Sequence, residues 1–240
     1  MTNSSNPPSV IVPPGISGRK ARFNAQEVSL QTLVCEQALT NLGDFEPLSF
    51  HINTGQFMSE IAQFENDWVD YLPRTDRPNN RQGMTLTNLP GVGHRGVPSV
   101  AQAMHQRGHA VGEMAFSEKT DLYHGCPSLH ELIEAFQPVG RTFLVKSNTG
   151  GYFVPHRDHP SMPRSVLRIA VFLNNCAPLQ YDWLMDDRKL AIEPGRAYYV
   201  NTRKTHRTIS WVDNSIHLIM NVQFTPATIS KIIGNLQHTH

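Results

Sequence analysis

Apolar and polar positions change their period partway along the chain. Phe57, Ile61, Phe64, Trp68 and Leu72 recur at helical spacing and predict one buried stripe. Leu129, Leu132, Ile133 and Phe136 repeat the pattern over a shorter helix. Ser128, with Glu131 three residues on, predicts a capping box at its start, and Pro138 and Gly140 predict its end. After residue 140 the texture becomes β-rich. Short runs cover Thr142 to Val145, Tyr152 to Val154, Val166 to Leu173, Ala197 to Val200 and Ile216 to Val222. Gly150-Gly151, Pro160 to Pro163, Asn174-Asn175 and Pro194-Gly195 separate them. Short strands divided by turn residues predict a sandwich or barrel such as a double-sheet jelly roll. A closing helix is expected over 226–236, with Ile229, Ile232 and Ile233 as its apolar face.

The fold class read from this pattern is mainly β with helical support around a jelly-roll core. Residues 1–20, rich in Pro, Ser and Asn, are expected to form a flexible arm. Residues 21–240 then make one domain: 21–140 a mixed helical support and lid, 141–225 the core, 226–240 a closing helix and tail.

Composition narrows the function. The 240 residues carry 21 basic and 20 acidic side chains, a net charge of +1, which gives no general footprint for nucleic acid or an anionic membrane. No apolar run approaches the roughly 20 residues of a membrane helix. The first residues lack the layout of a secretory signal. Cys35, Cys126 and Cys176 are widely spaced, as expected of reduced thiols in a cytoplasm. A soluble cytoplasmic protein with a small-molecule partner is the expectation; the oligomeric state is not legible.

Chemistry concentrates at His156-Arg157-Asp158 and at His206, which opens a strand-like run. Residues two apart on an extended segment share a side. His206 is expected to reach the same point from the far side of the barrel. Two histidines and one carboxylate can hold a metal by one face and leave the other open, the ligand set of non-haem iron(II) oxygenases. His105 and His109 lie four apart but lack the accompanying carboxylate of a second metal motif.

The stretch 140–225 resembles the aspartyl/asparaginyl β-hydroxylase-like and proline-hydroxylase-like branch of the 2-oxoglutarate, iron(II)-dependent oxygenases. The resemblance rests on Gly150-Gly151 leading into Pro155-His156-Arg157-Asp158, on the strand Val166 to Val171, on Glu193 to Asn201 running into His206, and on Ile216 to Val222. It implies a double-stranded β-helix, a relative of the jelly roll. It implies iron(II) held by His156, Asp158 and His206, with 2-oxoglutarate and O2 as co-substrates. It also implies that Arg168 holds a 2-oxoglutarate carboxylate, and an arginine within so apolar a strand calls for a partner. Asp158 favours hydroxylation over halogenation, because iron halogenases of this type leave that position to Gly or Ala.

One element of the pattern is missing. The basic residue usual nine or ten positions after the distal histidine, which grips the far carboxylate of 2-oxoglutarate, is replaced by Ser215 and Ile216. His217 acting with Ser215 is the first substitute, Lys146 the second and Arg207 the third. Arg81, in the polar stretch Asn79 to Thr87, could pair with a substrate carboxylate. Trp183, Trp211 and Tyr181 could line the mouth or pack the core. The expected activity is hydroxylation of an unactivated carbon in an amino acid or amino-acid-like small molecule. A polypeptide residue as substrate, or a jelly-roll binding protein with a vestigial metal site, are the alternatives.

Overall fold

A computed structural model describes residues 30–71, 80–158 and 166–237. The expected N-terminal arm, Leu72, Asn79 and the turn at Pro160 to Pro163 lie outside them.

The first half of the chain is not only helical. Helix α1 (Leu30–Leu42) leads to strand β1 (Phe45–His51), and α2 (Thr54–Ile61) continues as a 3-10 turn into β2 (Val69–Asp70). Then come β3 (Arg81–Thr85), β4 (Thr87–Asn88), α3 (Val100–Arg107), β5 (Glu118–Lys119), α4 (Asp121–Gly125) and α5 (His130–Ala135). The second half holds β6 (Val139–Ser147), β7 (Tyr152–His156), β8 (Val166–Asn174), β9 (Tyr181–Met185) and β10 (Arg188–Lys189). It finishes with β11 (Arg196–Val200), β12 (His206–Ser210), β13 (Ser215–Gln223) and α6 (Pro226–Gly234).

The large sheet runs β1-β11-β8-β13-β6-β3-β2 and the small sheet β10-β9-β12-β7. From β6 onward the chain alternates between them: β6, β8, β11 and β13 lie in the large sheet, and β7, β9, β10 and β12 in the small one. All these pairings are antiparallel. This is the jelly-roll architecture expected from the turn-punctuated runs. The expectation missed that β1 extends one edge of the large sheet while β3 and β2 extend the other.

The central strand β13 explains the layering. It is covered on both faces, so its side chains divide by parity. Ile216, Leu218, Met220 and Val222 enter the core between the large sheet and the helices. Ile219 enters a second core between the two sheets, with Phe143, Val145, Phe172 and Trp183. The stripe Phe57, Ile61, Phe64 and Trp68 is buried against the helical side. Two local expectations fail. Ser128 makes no capping box; its Oγ donates to Glu60 at 2.6 Å instead, because Glu60 of α2 reaches the turn first. Ile229 and Ile232 of α6 are buried, but Ile233 is 44% exposed, since α6 touches the domain along one narrow stripe. Among the described residues no helix is long and apolar enough to cross a membrane.

Leu218 faces away from the space between the sheets and is fully buried. Leu218→Ala should therefore cost about 2–5 kcal/mol of stability without touching that space. The check is a lower urea midpoint at unchanged slope.

Candidate functional site

His156 ends β7 and His206 begins β12. These strands are neighbours in the small sheet, with the two histidines directly opposed. His206 thus comes from the adjacent strand and not, as the sequence suggested, from the far side of the barrel. The ring centroids lie 4.2 Å apart. Asp158 follows two residues after His156, and its backbone N–H donates to the Thr202 carbonyl at 2.8 Å, which anchors the chain as it leaves β7. The preceding turn needs glycine: a Cβ on Gly151 would lie 2.5 Å from the Asn80 carbonyl.

Each imidazole uses its Nδ1–H on a backbone carbonyl, His156 on Val154 at 2.7 Å and His206 on Lys204 at 3.0 Å. These bonds leave both Nε2 lone pairs toward Asp158, an arrangement typical of metal-binding histidines. His156 Nε2 is 3.5 Å from Asp158 Oδ1, and His206 Nε2 is 3.6 Å from Asp158 Oδ2. One ligand atom from each of the three residues lies within 4.8 Å of the others. Ligand atoms each about 2 Å from one ion sit roughly 3–3.5 Å apart, so the set fits a single metal with little adjustment. Burial holds the His206 imidazole below its ordinary range, against the Lys204 carbonyl and Asp158, which favour its charged form. A neutral ring is the one that can ligate.

The triad borders a cavity of about 450 Å³ between the sheets. Arg168, from β8, projects into it and its Nη1 pairs with Asp158 Oδ2. Its Nε donates to Asn221 Oδ1 at 3.1 Å, Asn221 donates to Glu113 Oε1 at 2.6 Å, and Glu113 accepts from Arg141 Nε at 2.9 Å. Burial alone would raise the Glu113 carboxyl, but Arg141, Asn221 and Arg168 outweigh it and hold the group below its usual value. Tyr71 also lines the cavity; burial raises its hydroxyl, within the field of Arg168, Arg141, Asp158 and Arg81. Sequence reading overlooked Glu113, Arg141, Asn221 and Tyr71. For Asn221 a signal existed: it interrupts the apolar run Leu218 to Val222 on the side shared with Ile219.

The other expected residues are dispersed. Arg81 and His217 line the cavity. Ser215 does not join His217 there: its hydroxyl lies 2.7 Å from that of Ser210 and donates to the Asn175 carbonyl at 2.8 Å. Lys146 sits on the opposite face of β6, 2.9 Å from Glu65 and over the Trp68 ring, so strand parity turns it away. Arg207 alternates with His206 and pairs outward with Asp187. Trp183 borders the cavity, Tyr181 packs in the core beside it, and Trp211 is 52% exposed.

No family model matches the chain, and no curated protein matches it in sequence. Solved structures resemble it at low identity. A prolyl hydroxylase from Trichoplax adhaerens, in complex with a hypoxia inducible factor peptide, is 9% identical, covering 86% of this chain and 94% of its own, with a TM-score of 0.47. A Pseudomonas putida prolyl-4-hydroxylase is 9% identical over 80% of this chain and 99% of its own, with a TM-score of 0.44. KdgF from Halomonas sp. is 12% identical over 73% and 93%, with a TM-score of 0.34.

His217 gives a pH test. Burial, with Arg168 nearby, pushes its imidazole from 6.5 down to about 3. The unfolded chain therefore binds the proton first. The stability His217 contributes is complete above its ordinary value, declines as pH falls from there to about 3, and is constant below that. At pH 5 the loss should be about 2 kcal/mol. Urea unfolding at pH 7.5 and pH 5 should show this loss in the wild type and a drop smaller by that amount in His217→Gln.

Proposed function

We propose that the protein is an iron(II)- and 2-oxoglutarate-dependent dioxygenase that hydroxylates an unactivated carbon of an amino acid or amino-acid-like small molecule. The observation that carries this reading is the convergence of His156 Nε2, His206 Nε2 and a carboxylate oxygen of Asp158 at the edge of a cavity between the sheets. Two imidazoles and one carboxylate suit iron(II) and leave positions open. About 450 Å³ accommodates a five-carbon diacid and a small second molecule. Arg81, Arg141, Arg157 and Arg168 line that space against Asp158 as its one carboxylate among the described residues, which favours anionic ligands. Three free, buried cysteines support a reducing, cytoplasmic setting.

Bound iron(II) and 2-oxoglutarate would supply the oxidising power that places an oxygen atom from dioxygen on a carbon–hydrogen bond. The chain does the rest. His156, Asp158 and His206 would hold the ion. Arg168, steadied by Asn221, stands beside Asp158 and is placed to bind a carboxylate next to the metal. Phe143, Val145, Phe153, Trp183 and Ile219 wall the cavity and keep water from the reacting groups. A residue within a polypeptide is the second reading. It is favoured by β7, an edge strand of the small sheet that presents exposed Tyr152 and Val154 beside the cavity.

Anaerobic addition of iron(II) and 2-oxoglutarate should produce the weak visible charge-transfer band of such complexes. Its absence at saturating concentrations would reject the proposal and leave a binding protein with a vestigial site. Asp158→Ala should lose the band and at least 100-fold of succinate formation while remaining folded by circular dichroism; full activity would remove Asp158 as a ligand.

A further inference from the structure

The geometry points to Arg81, from outside the jelly-roll strands, as the residue that grips the far carboxylate of the dicarboxylic co-substrate. This inference rests on the function proposed above and reassigns Arg81 from the substrate to the co-substrate. Four observations carry it.

The first is register. Across the large sheet Arg81 is opposed to Ser147, and Ser147 is opposed to Ser215. The three positions share one face of the large sheet, and of them Arg81 lines the cavity. The cation missing at Ser215 therefore stands two strands away in the same row. The one intervening position is Ser147, a small polar side chain that leaves an arginine room to extend.

The second is where the guanidinium goes. Arg81 is only 7% exposed, and its guanidinium carbon lies 4.0 Å from the centroid of the Phe153 ring. Phe153 is paired with Thr208, and Thr208 with Trp183, so the guanidinium faces the small sheet at that row. Stacking on a ring fixes the plane of the fork.

The third is depth. The row of Thr208 lies two residues along β12 from His206, about 6.6 Å at the usual strand rise. The four carbon–carbon bonds of an extended five-carbon diacid span about 5 Å. A 2-oxo acid held at the triad by its first carboxylate would place its second at this row.

The fourth is unpaired polar nitrogens there. His217 Nδ1 and Trp183 Nε1 are buried and have no hydrogen-bond partner in the protein. Both residues line the cavity. Indole N–H is donor only, so an acceptor oxygen is the complement it lacks. Thr208 adds a hydroxyl on the same wall. A carboxylate at this point meets a fixed guanidinium and neutral donors together.

The experiment compares two 2-oxo acids that differ only in the far carboxylate, 2-oxoglutarate and 2-oxopentanoate. Each is titrated anaerobically into the iron(II)-loaded protein and read by the charge-transfer band, with the rise in melting temperature as a second signal. The wild type should bind the diacid about 10- to 100-fold more tightly. Arg81→Gln should lose that preference, weakening 2-oxoglutarate by the same factor while leaving 2-oxopentanoate within about twofold, which also shows that fold and metal site persist. Arg81→Lys should restore part of the preference. Equal weakening of both acids would make Arg81 structural, and no change in either would place the anchor elsewhere; both overturn the inference. A wild type that gives no band with either acid would instead overturn the proposed function, and the inference with it.

Discussion

The site depends on the register of β7 against β12. His156 and His206 meet because they are directly opposed on neighbouring antiparallel strands and point to the same face. Side chains alternate along a strand, so a slip of one residue would turn His206 outward and bring Arg207 in. What prevents the slip is shared along the sheet. β12 also pairs with β9 through five consecutive positions, from His206 with Met185 to Ser210 with Tyr181. Buried Tyr181, Trp183 and Met185 hold that register by packing in the core between the sheets. The geometry of the His-Asp-His cluster is thus fixed by apolar packing on a strand that contributes none of its residues.

The same alternation governs the large sheet, where it has a cost. Arg168, Asn221 and Arg141 occupy cavity-facing positions that apolar packing would otherwise fill. Isolated, such groups would be strongly destabilising in so enclosed a place. They are tolerated because they are joined: Arg168 donates to Asn221, and Asn221 and Arg141 both donate to the Glu113 carboxylate. Glu113 comes from the N-terminal half of the chain, in a short turn packed against β6. A buried network of this kind is rigid when complete. It holds Arg168 beside Asp158, where a mobile cation would have many alternatives.

Much of this was legible in the sequence, and what was not has a physical reason. The strands from Val166, Ala197 and Ile216 are dense in β-branched and aromatic residues, so their existence could be read, as could the parity that puts Ser215 and His217 on one side of their strand. Applied strictly, the same parity excludes Lys146, since β6 buries Phe143 and Val145 on the cavity face and Leu144 on the other. Strand order was not legible, because pairing is non-local; hence the misplacement of His206 on a distant strand. β3 was hidden for a different reason. Arg-Gln-Gly-Met-Thr has little intrinsic strand preference, and it is a strand because β6 offers it an edge. Glu113 carried no signal at all, since nothing local distinguishes a buried glutamate in a turn from a solvated one.

The N-terminal half is therefore more than a support. Its strand β3 lies against β6 and its strand β1 against β11, so the large sheet that backs the cavity is built from both halves of the chain. Arg81 and Tyr71, with Glu113 behind Arg141, bring polar groups from this half to a cavity whose His156, Asp158 and His206 all come from the other. A jelly roll alone would supply the triad, Arg141, Arg157 and Arg168 but not Arg81, and Ser215 is occupied with Ser210 and Asn175. Sheet extension solves this without altering the barrel. A cation presented by an added strand can enter the same row as one presented by a central strand, because the row and not the chain position determines which space a side chain reaches.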